Sequence, residues 1–240
     1  MKAAILQYKP EKAQPQRNLT RILAQCEAAA QAGAELIHLP EMCLTGYVWP
    51  QAAQLAPFLE ARQGTAFAAL AAFARRAGVH LVYGYGEQNA QGACYNSQNW
   101  ITPEGQLMAH YRKRHLFQAD LSWARPGNLP FVARSTPWGK VGLGICMDLN
   151  FDDFVRFHIQ QETQILLLAV NWLDEGGLVV DYWLRRLNGY QGHCLIANSH
   201  GPDGSITFCG RSCWIHQGKS MLEAAPAGDE ILLADLRQIL

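Results

Sequence analysis

The sequence predicts a single α/β domain over residues 1–240, built as a layered sandwich. Three observations predict it. Apolar strand-like runs alternate with helical periodicities through most of the chain, the pattern of parallel βα units. Hairpin-like pairs interrupt that alternation in the middle and near the end, which a purely doubly wound sheet would not show. No internal repeat, low-complexity tract or clear linker divides the 240 residues, a length suited to one large domain.

The elements follow in order. AAILQY (3–8) is a buried strand. Residues 17–32 place Leu19, Ile22, Leu23, Cys26 and Ala30 on one helical face, and Gly33 stops the helix. ELIHLP (35–40) is the next strand. Residues 64–77 repeat the helical pattern with Phe67, Leu70, Ala71 and Ala74 before Gly78, and HLVYGYGE (80–87) is again a strand. CYNSQNWITP and QLMAHYRK flank Glu104-Gly105 as a hairpin. Residues 129–134 and VGLGIC (141–146) are strands around Pro137-Trp138-Gly139. A helical stretch near 151–161 precedes ILLLAV (165–170), a fully buried strand. A helix over 178–192 leads to CLIANSH (194–200), and the last forty residues read as short strands around GPDG and Gln217-Gly218.

Composition narrows the function classes. Apolar residues make up 49% of the chain, enough for a sizeable core, and charged residues only 17%, which argues against disorder. Twenty basic and twenty acidic residues give a formal net charge of zero, so no long-range attraction to nucleic acid or an acidic membrane is expected. Arg112, Lys113 and Arg114 form too short a cluster for a phosphate-binding face. Apolar runs such as Ile165–Val170 fall far short of a membrane span. The opening MKAAILQYKP lacks the form of a signal peptide, and the seven cysteines are odd in number without regular spacing. Cytoplasmic residence is the expectation.

Three residues carry candidate chemistry. Cys146 ends the strand VGLGIC, where a turn can expose the sulfur and aim following N–H groups at an oxyanion. Glu41 ends ELIHLP, where a carboxylate can project into a crevice as general base. Lys113 follows the strand after Glu104-Gly105, where an ammonium can stabilise an oxyanion and favour thiolate. Taken singly, each is better explained blandly, as a buried structural cysteine, a solvated loop acid and a surface lysine. Together they supply nucleophile, base and oxyanion stabiliser at three strand ends that can converge on one crevice.

Other signals are set aside. Cys209 and Cys213 form CxxxC near His193, His200 and His216, but a zinc site needs four ligands, and strand alternation is expected to scatter these. No HExxH, Walker loop or GxGxxG occurs. His115 is conceivable as a partner for Cys146, but a hydrogen-bonded structural role is preferred.

The three blocks LPEMCLTGY, YRKRHLF and GLGICMDLNF resemble the Glu–Lys–Cys signature of the nitrilase, or carbon–nitrogen hydrolase, superfamily. YNSQNWITPEGQ, RPG at 125–127 and GRS at 210–212 support the resemblance, which spans nearly the whole chain. It implies a four-layer αββα sandwich, paired through helices into a homodimer or higher oligomer. It implies a thioester acyl-enzyme formed without metal or organic cofactor, on a small-molecule amide. Carried over, Glu41 would be the general base, Cys146 the nucleophile, and Lys113 with the Met147 N–H the oxyanion donors. Two departures stand out. Asp120 occupies a position where many relatives carry a second glutamate, and 186–190 reads Arg-Leu-Asn-Gly-Tyr where relatives often show Arg-Ala-x-Glu-Asn. Tyr47, Trp49, Trp123, Asn171 and Trp172 are candidate pocket residues, with core packing as the alternative. Asp148 either orients the turn after Cys146 or caps the next helix, and capping is favoured.

The leading expectation is an amidase acting on a small carboxamide. LTGY and ICMDLN are also similar to amidases that deamidate N-terminal Asn or Gln of peptides. A catalytically silent scaffold is a third expectation, motivated by Asp120. Nitrile hydrolysis is not expected, because the residues after Cys146 do not resemble the Trp-Glu-His of nitrilases.

Overall fold

The computed structural model describes residues 1–177 and 179–237. In chain order the elements are β1 (Lys2–Gln7), α1 (Pro15–Gln31), β2 (Leu36–His38), α2 (Ala52–Leu55), α3 (Thr65–Ala77), β3 (His80–Gln88), β4 (Cys94–Ile101) and β5 (Leu107–Arg112). There follow β6 (Val132–Thr136), β7 (Gly139–Ile145), α4 (Asp152–Gln160), β8 (Ile165–Val170), α5 (Val179–Arg186), β9 (His193–Asn198), β10 (His200–Asp203), β11 (Ile206–Cys209), β12 (Cys213–His216), β13 (Lys219–Glu223) and β14 (Glu230–Asp235).

Two six-stranded sheets result, ordered β14-β1-β2-β3-β4-β5 and β13-β12-β9-β8-β7-β6, with β10 and β11 as a separate hairpin. In the first sheet β1, β2 and β3 are parallel, and β14, β4 and β5 add antiparallel. In the second, β7, β8 and β9 are parallel, and β6, β12 and β13 add antiparallel. The parallel strands read as continuous apolar runs because both of their faces are covered.

Alternation decides what covers each face. Ala4, Leu6, Ile37, Leu81 and Tyr83 point to one side of the first sheet and pack on Leu19, Ile22 and Cys26 of α1 and Leu70, Phe73 and Ala74 of α3. Ala3, Ile5, Leu36, Val82, Trp100 and Tyr111 point to the other side, into one core with Val141, Leu143, Ile145, Leu167 and Leu195 of the second sheet. Phe154 of α4 and Trp183 of α5 join that core, giving the four αββα layers. The α4 layer lies tight on β7: a Cβ at Gly144 would meet the Phe154 ring at 2.2 Å.

The expected helix over 178–192 is shorter. It ends at Arg186, and Leu187–Gly189 form a turn with Gly189 at φ +85°. Leu187 and Tyr190 are buried there, so packing bends the chain back toward β9 before the helical pattern runs out. Leu178 lies outside the described residues. The strand expected at 129–134 begins instead at Val132, after Pro130, which has no N–H for a ladder.

His38 sits between the sheets, fully buried, and burial pulls its imidazole down from 6.5 to about 4. In the unfolded chain the same ring titrates near 6.5, so between those values the unfolded state binds more protons. Stability is therefore full above about pH 6.5 and is lost as pH falls toward 4, by about 3 kcal/mol for this group. Urea denaturation across pH 4–7 should show that slope reduced by about one proton in His38→Gln; an unchanged slope would exclude the assignment.

Candidate active site

Glu41, Lys113 and Cys146 follow the carboxyl ends of β2, β5 and β7. The first two strands belong to one sheet and β7 to the other, so the crevice lies where the two sheets face each other. Glu41 is held by a close approach: a Cβ on Gly84 would lie 2.7 Å from its Cα and 2.8 Å from the Pro40 carbonyl. Lys113 extends β5, donating its N–H to Asn96 O at 2.8 Å and accepting from Gly127 N at 2.7 Å. Cys146 adopts φ +42°, a left-handed conformation that costs a non-glycine residue roughly 1–2 kcal/mol. That twist turns β7 sharply into the 3₁₀ segment Cys146–Asn150. Met147 lies in its first turn, where the N–H has no helical acceptor.

The charged side chains meet completely buried. Lys113 Nζ donates to Glu41 Oε1 at 2.8 Å and to Asp120 Oδ2 at 2.6 Å, and all three side chains have no exposure. Asn96 Nδ2 donates to Glu41 Oε1 at 2.7 Å and to Asp120 Oδ1 at 3.0 Å. The Phe117 N–H adds a third donor to Asp120, at 2.9 Å on Oδ2. Asp120 thus reaches the lysine in spite of its shorter side chain. Glu41 Oε2 has no partner.

Burial pushes the Glu41 carboxyl up; the Lys113 charge opposes this and the Asp120 charge adds to it. Burial alone would lower Lys113, but Asp120 and Glu41 hold it well above the usual lysine range, so it stays an ammonium. Burial and the Glu41 charge push the Cys146 thiol well above the ordinary range, against Lys113 and a backbone hydrogen bond from Asn171. The resting sulfur is therefore a thiol in the field of a carboxylate able to accept its proton.

Cys146 opens onto a cavity of ≈ 390 Å³ that Met147, Asn171 and Trp172 also line. Asn171 Nδ2 donates to the Glu41 carbonyl at 3.0 Å, tying the end of β8 to the Glu41 turn. Tyr47 is buried behind this group, its ring 5.4 Å from Lys113 Nζ and its hydroxyl without a partner. Trp49 and Trp123 pack with Tyr47 in a buried loop cluster and do not line the cavity. His115 is structural in its contacts: its N–H and Nδ1 both lie 3.0 Å from Asp148 Oδ1, and its ring stacks on Phe151 at 4.0 Å.

Two expectations need correction. Asp148 does not cap α4, whose first residue follows Phe151. Its buried carboxylate accepts instead from Ile145 N at 3.1 Å and Tyr111 OH at 2.8 Å, pinning the turn that carries Cys146. His193 and His216 are not scattered; they are cross-strand partners and stack at 4.0 Å. Among the described residues no group of three or more His, Cys, Asp or Glu is placed to hold a metal ion.

Sequence reasoning missed Asn96, which ties the two carboxylates together. A signal existed: Asn96, Ser97, Gln98 and Asn99 are four consecutive polar residues in one strand, all buried. Phe117, Asn150, Tyr182, Arg185 and Cys209 also line the cavity, brought there by packing that no local pattern encodes.

A layered α/β sandwich whose facing strand ends gather these groups at one cavity has the form of a hydrolase of carbon–nitrogen bonds other than peptide bonds. The chain belongs to the carbon-nitrogen hydrolase family, whose model matches residues 2–238. It is 30% identical over its whole length to a hydrolase from the pqqF 5′ region of Pseudomonas protegens, covering 81% of that protein. It is 27% identical to a protein N-terminal amidase of Schizosaccharomyces pombe, over 92% of this chain and 94% of that one. The amidase of Nesterenkonia sp. AN1, in a mutant carrying acrylamide added at its active-site cysteine, shares the fold with a TM-score of 0.86. That match covers 98% of this chain and 93% of the other at 23% identity.

Removing the lysine charge leaves two buried carboxylates facing each other. Lys113→Met should destabilise the protein by about 3–5 kcal/mol in denaturant titration, with the loss smaller at acidic pH where a carboxyl can take up a proton. A change below about 1 kcal/mol would contradict the buried-ammonium account.

Proposed function

We propose that this enzyme is a cysteine-dependent amidase that hydrolyses a small carboxamide through a thioester. The carrying observation is the single buried ammonium that binds Glu41 and Asp120 beside the cavity-facing Cys146. Glu41 accepts the Cys146 proton as the sulfur attacks the amide carbon, and its unpartnered Oε2 is the available oxygen. The carbonyl oxygen gathers negative charge and is stabilised by Lys113 and the Met147 N–H. Glu41 then passes its proton to the departing amine, leaving an acyl thioester on Cys146. Water, deprotonated by Glu41, attacks the thioester and releases a carboxylic acid and the thiol. Asp120 holds Lys113 in place, and Asn171 and Trp172 wall the acyl group. No metal or organic cofactor takes part. Two copies pairing through α4 would cover Phe151 and Ile159, which are exposed.

A second substrate, the side-chain amide of an N-terminal Asn or Gln, is favoured by exposed Asp174 and Glu175 on the cavity lining, where an α-ammonium would find opposite charge. The likeness to the S. pombe N-terminal amidase supports the same reading. The silent-scaffold alternative loses its motive, because Asp120 reaches Lys113 at 2.6 Å.

A panel of small amides and of Asn- and Gln-initiated peptides should separate the substrates, read by ammonia release and by a gain of about one mass unit per deamidation. Cys146→Ala should lower the rate at least about a thousandfold, and intact mass should catch the acyl adduct on the native enzyme only. Turnover surviving Cys146→Ala would refute the mechanism.

A further inference from the structure

The hairpin β10–β11 belongs to neither large sheet, yet it touches both walls of the site. Its return strand pairs with the segment that lines the cavity. Cys209 N donates to Trp172 O at 2.9 Å, Asp174 N donates to Thr207 O at 2.8 Å, and Leu173 bridges Phe208. Its tip reaches the loop that follows Glu41. There one oxygen, Asp203 Oδ2, accepts from Tyr47 N at 2.7 Å and from Val48 N at 3.1 Å. The other oxygen takes Lys12 Nζ at 3.0 Å, and the same ammonium donates to the Val48 carbonyl and lies 4.8 Å from the Trp49 ring. The Asp203 side chain is only 12% exposed, so water competes weakly for these bonds.

The clamped residue is the one whose ring faces Lys113. Tyr47 is gripped at its backbone by Asp203, and its ring meets Phe208 of the same hairpin edge-on at 6.0 Å. The ring then presents its face to Lys113 Nζ at 5.4 Å. Glu41 and Asp120 fix the ammonium by hydrogen bonds, and the buried Tyr47 ring covers a further face of it, away from the direction left for the carbonyl oxygen of the substrate.

We propose that Asp203 is a positioning residue of the hydrolysis, acting through Tyr47 on Lys113 and on the dryness of the Cys146 site. This rests on the amidase reading above. Releasing the clamp lets the Tyr47 loop lift, water reach the ammonium, and the oxyanion donor lose its fixed direction. The thiol, held high by burial and the Glu41 charge, then moves toward its ordinary range.

Two readouts decide this. The first is kcat and KM for ammonia release by wild type, Asp203→Ala, Asp203→Asn, Tyr47→Leu and the Asp203→Ala/Tyr47→Leu double variant. The second is the pH profile of iodoacetamide alkylation, mapped by mass to the Cys146 peptide. Asp203→Ala should lower kcat about tenfold or more and change KM less than about threefold. Asp203→Asn keeps an oxygen for both N–H groups and should restore most of the rate. The double variant should be no slower than Tyr47→Leu alone, within about twofold. The alkylation midpoint should fall in Asp203→Ala. A kcat within about twofold of wild type, losses that multiply in the double variant, or an unmoved alkylation profile would each overturn the proposal. If wild type released no ammonia from any amide, the amidase reading would fall and the alkylation profile alone would decide. If Asp203→Ala failed to fold, Tyr47→Leu and Asp203→Asn would carry the alkylation test: the first should lower the midpoint, the second leave it near wild type, and the reverse would overturn the proposal.

Discussion

A fully buried ammonium has no water to carry its charge, and everything around Lys113 answers that constraint. Leaving an ion of this size unpaired in the interior would cost several kcal/mol, so opposite charge must be brought to it. Glu41 and Asp120 supply it from two separate segments, one after β2 and one in the 3₁₀ turn Asp120–Ser122. Two carboxylates on one ammonium leave a net negative charge, which Asn96 and the Phe117 N–H spread by hydrogen bonding. The surplus also keeps the neighbouring sulfur protonated, because a thiolate would add a second uncompensated charge. The arrangement thus ties the ionisation of Cys146 to the charge state of Glu41 and Lys113.

The fold makes this meeting possible by repeating one plan. Each large sheet has three parallel strands in sequence order, preceded in its order by one antiparallel edge strand and extended by an antiparallel pair. Trp100 Nε1 donates to His80 Nδ1 at 3.0 Å across β4 and β3, and Trp214 Nε1 lies 3.2 Å from His193 Nδ1 across β12 and β9. In register, Trp100 faces Val82 and Trp214 faces Leu195, each two residues beyond its histidine. The two halves therefore share a topology and a local clasp that the sequence, searched for repeats, does not display. Two such sheets packed face to face set carboxyl ends from both beside one cavity. This is why Cys146 comes from one sheet and Glu41 and Lys113 from the other.

What could be read from the sequence follows from where the information lies. The strands Ile165–Val170 and Gly139–Ile145 and the helices Pro15–Gln31 and Thr65–Ala77 announce themselves by apolar pattern and glycine stops, because burial alone dictates them. Glu41, Lys113 and Cys146 were visible as chemistry at strand ends, and their convergence required the fold. The end of α5 was not visible, since Leu187 and Tyr190 continue the apolar pattern while the backbone turns. Asp148 was misplaced for a related reason. An acid near a helix start reads as a cap, and only the tertiary partners Tyr111 and His115, far along the chain, reveal the turn it holds.

Asp120 shows how a short acid can still reach a buried ammonium, at 2.6 Å. A carboxylate fewer bonds from the backbone reaches Lys113 only if its backbone moves closer or the lysine does. Here the tight turn Asp120–Ser122 folds back on itself: Phe117 N bonds the Asp120 side chain, and Trp123 N and Ala124 N bond its carbonyl. The turn thereby holds the Asp120 carboxylate 2.6 Å from Lys113 Nζ, with Asn96 bracing the second oxygen. A carboxylate with one fewer rotatable bond loses less freedom when fixed, so the pair starts better organised than a longer side chain would be. The same shortness forbids it from following the lysine if Lys113 shifts. Lys113 is therefore held to one position from three directions, by Asp120, by Glu41 and by the wall that Tyr47 presents.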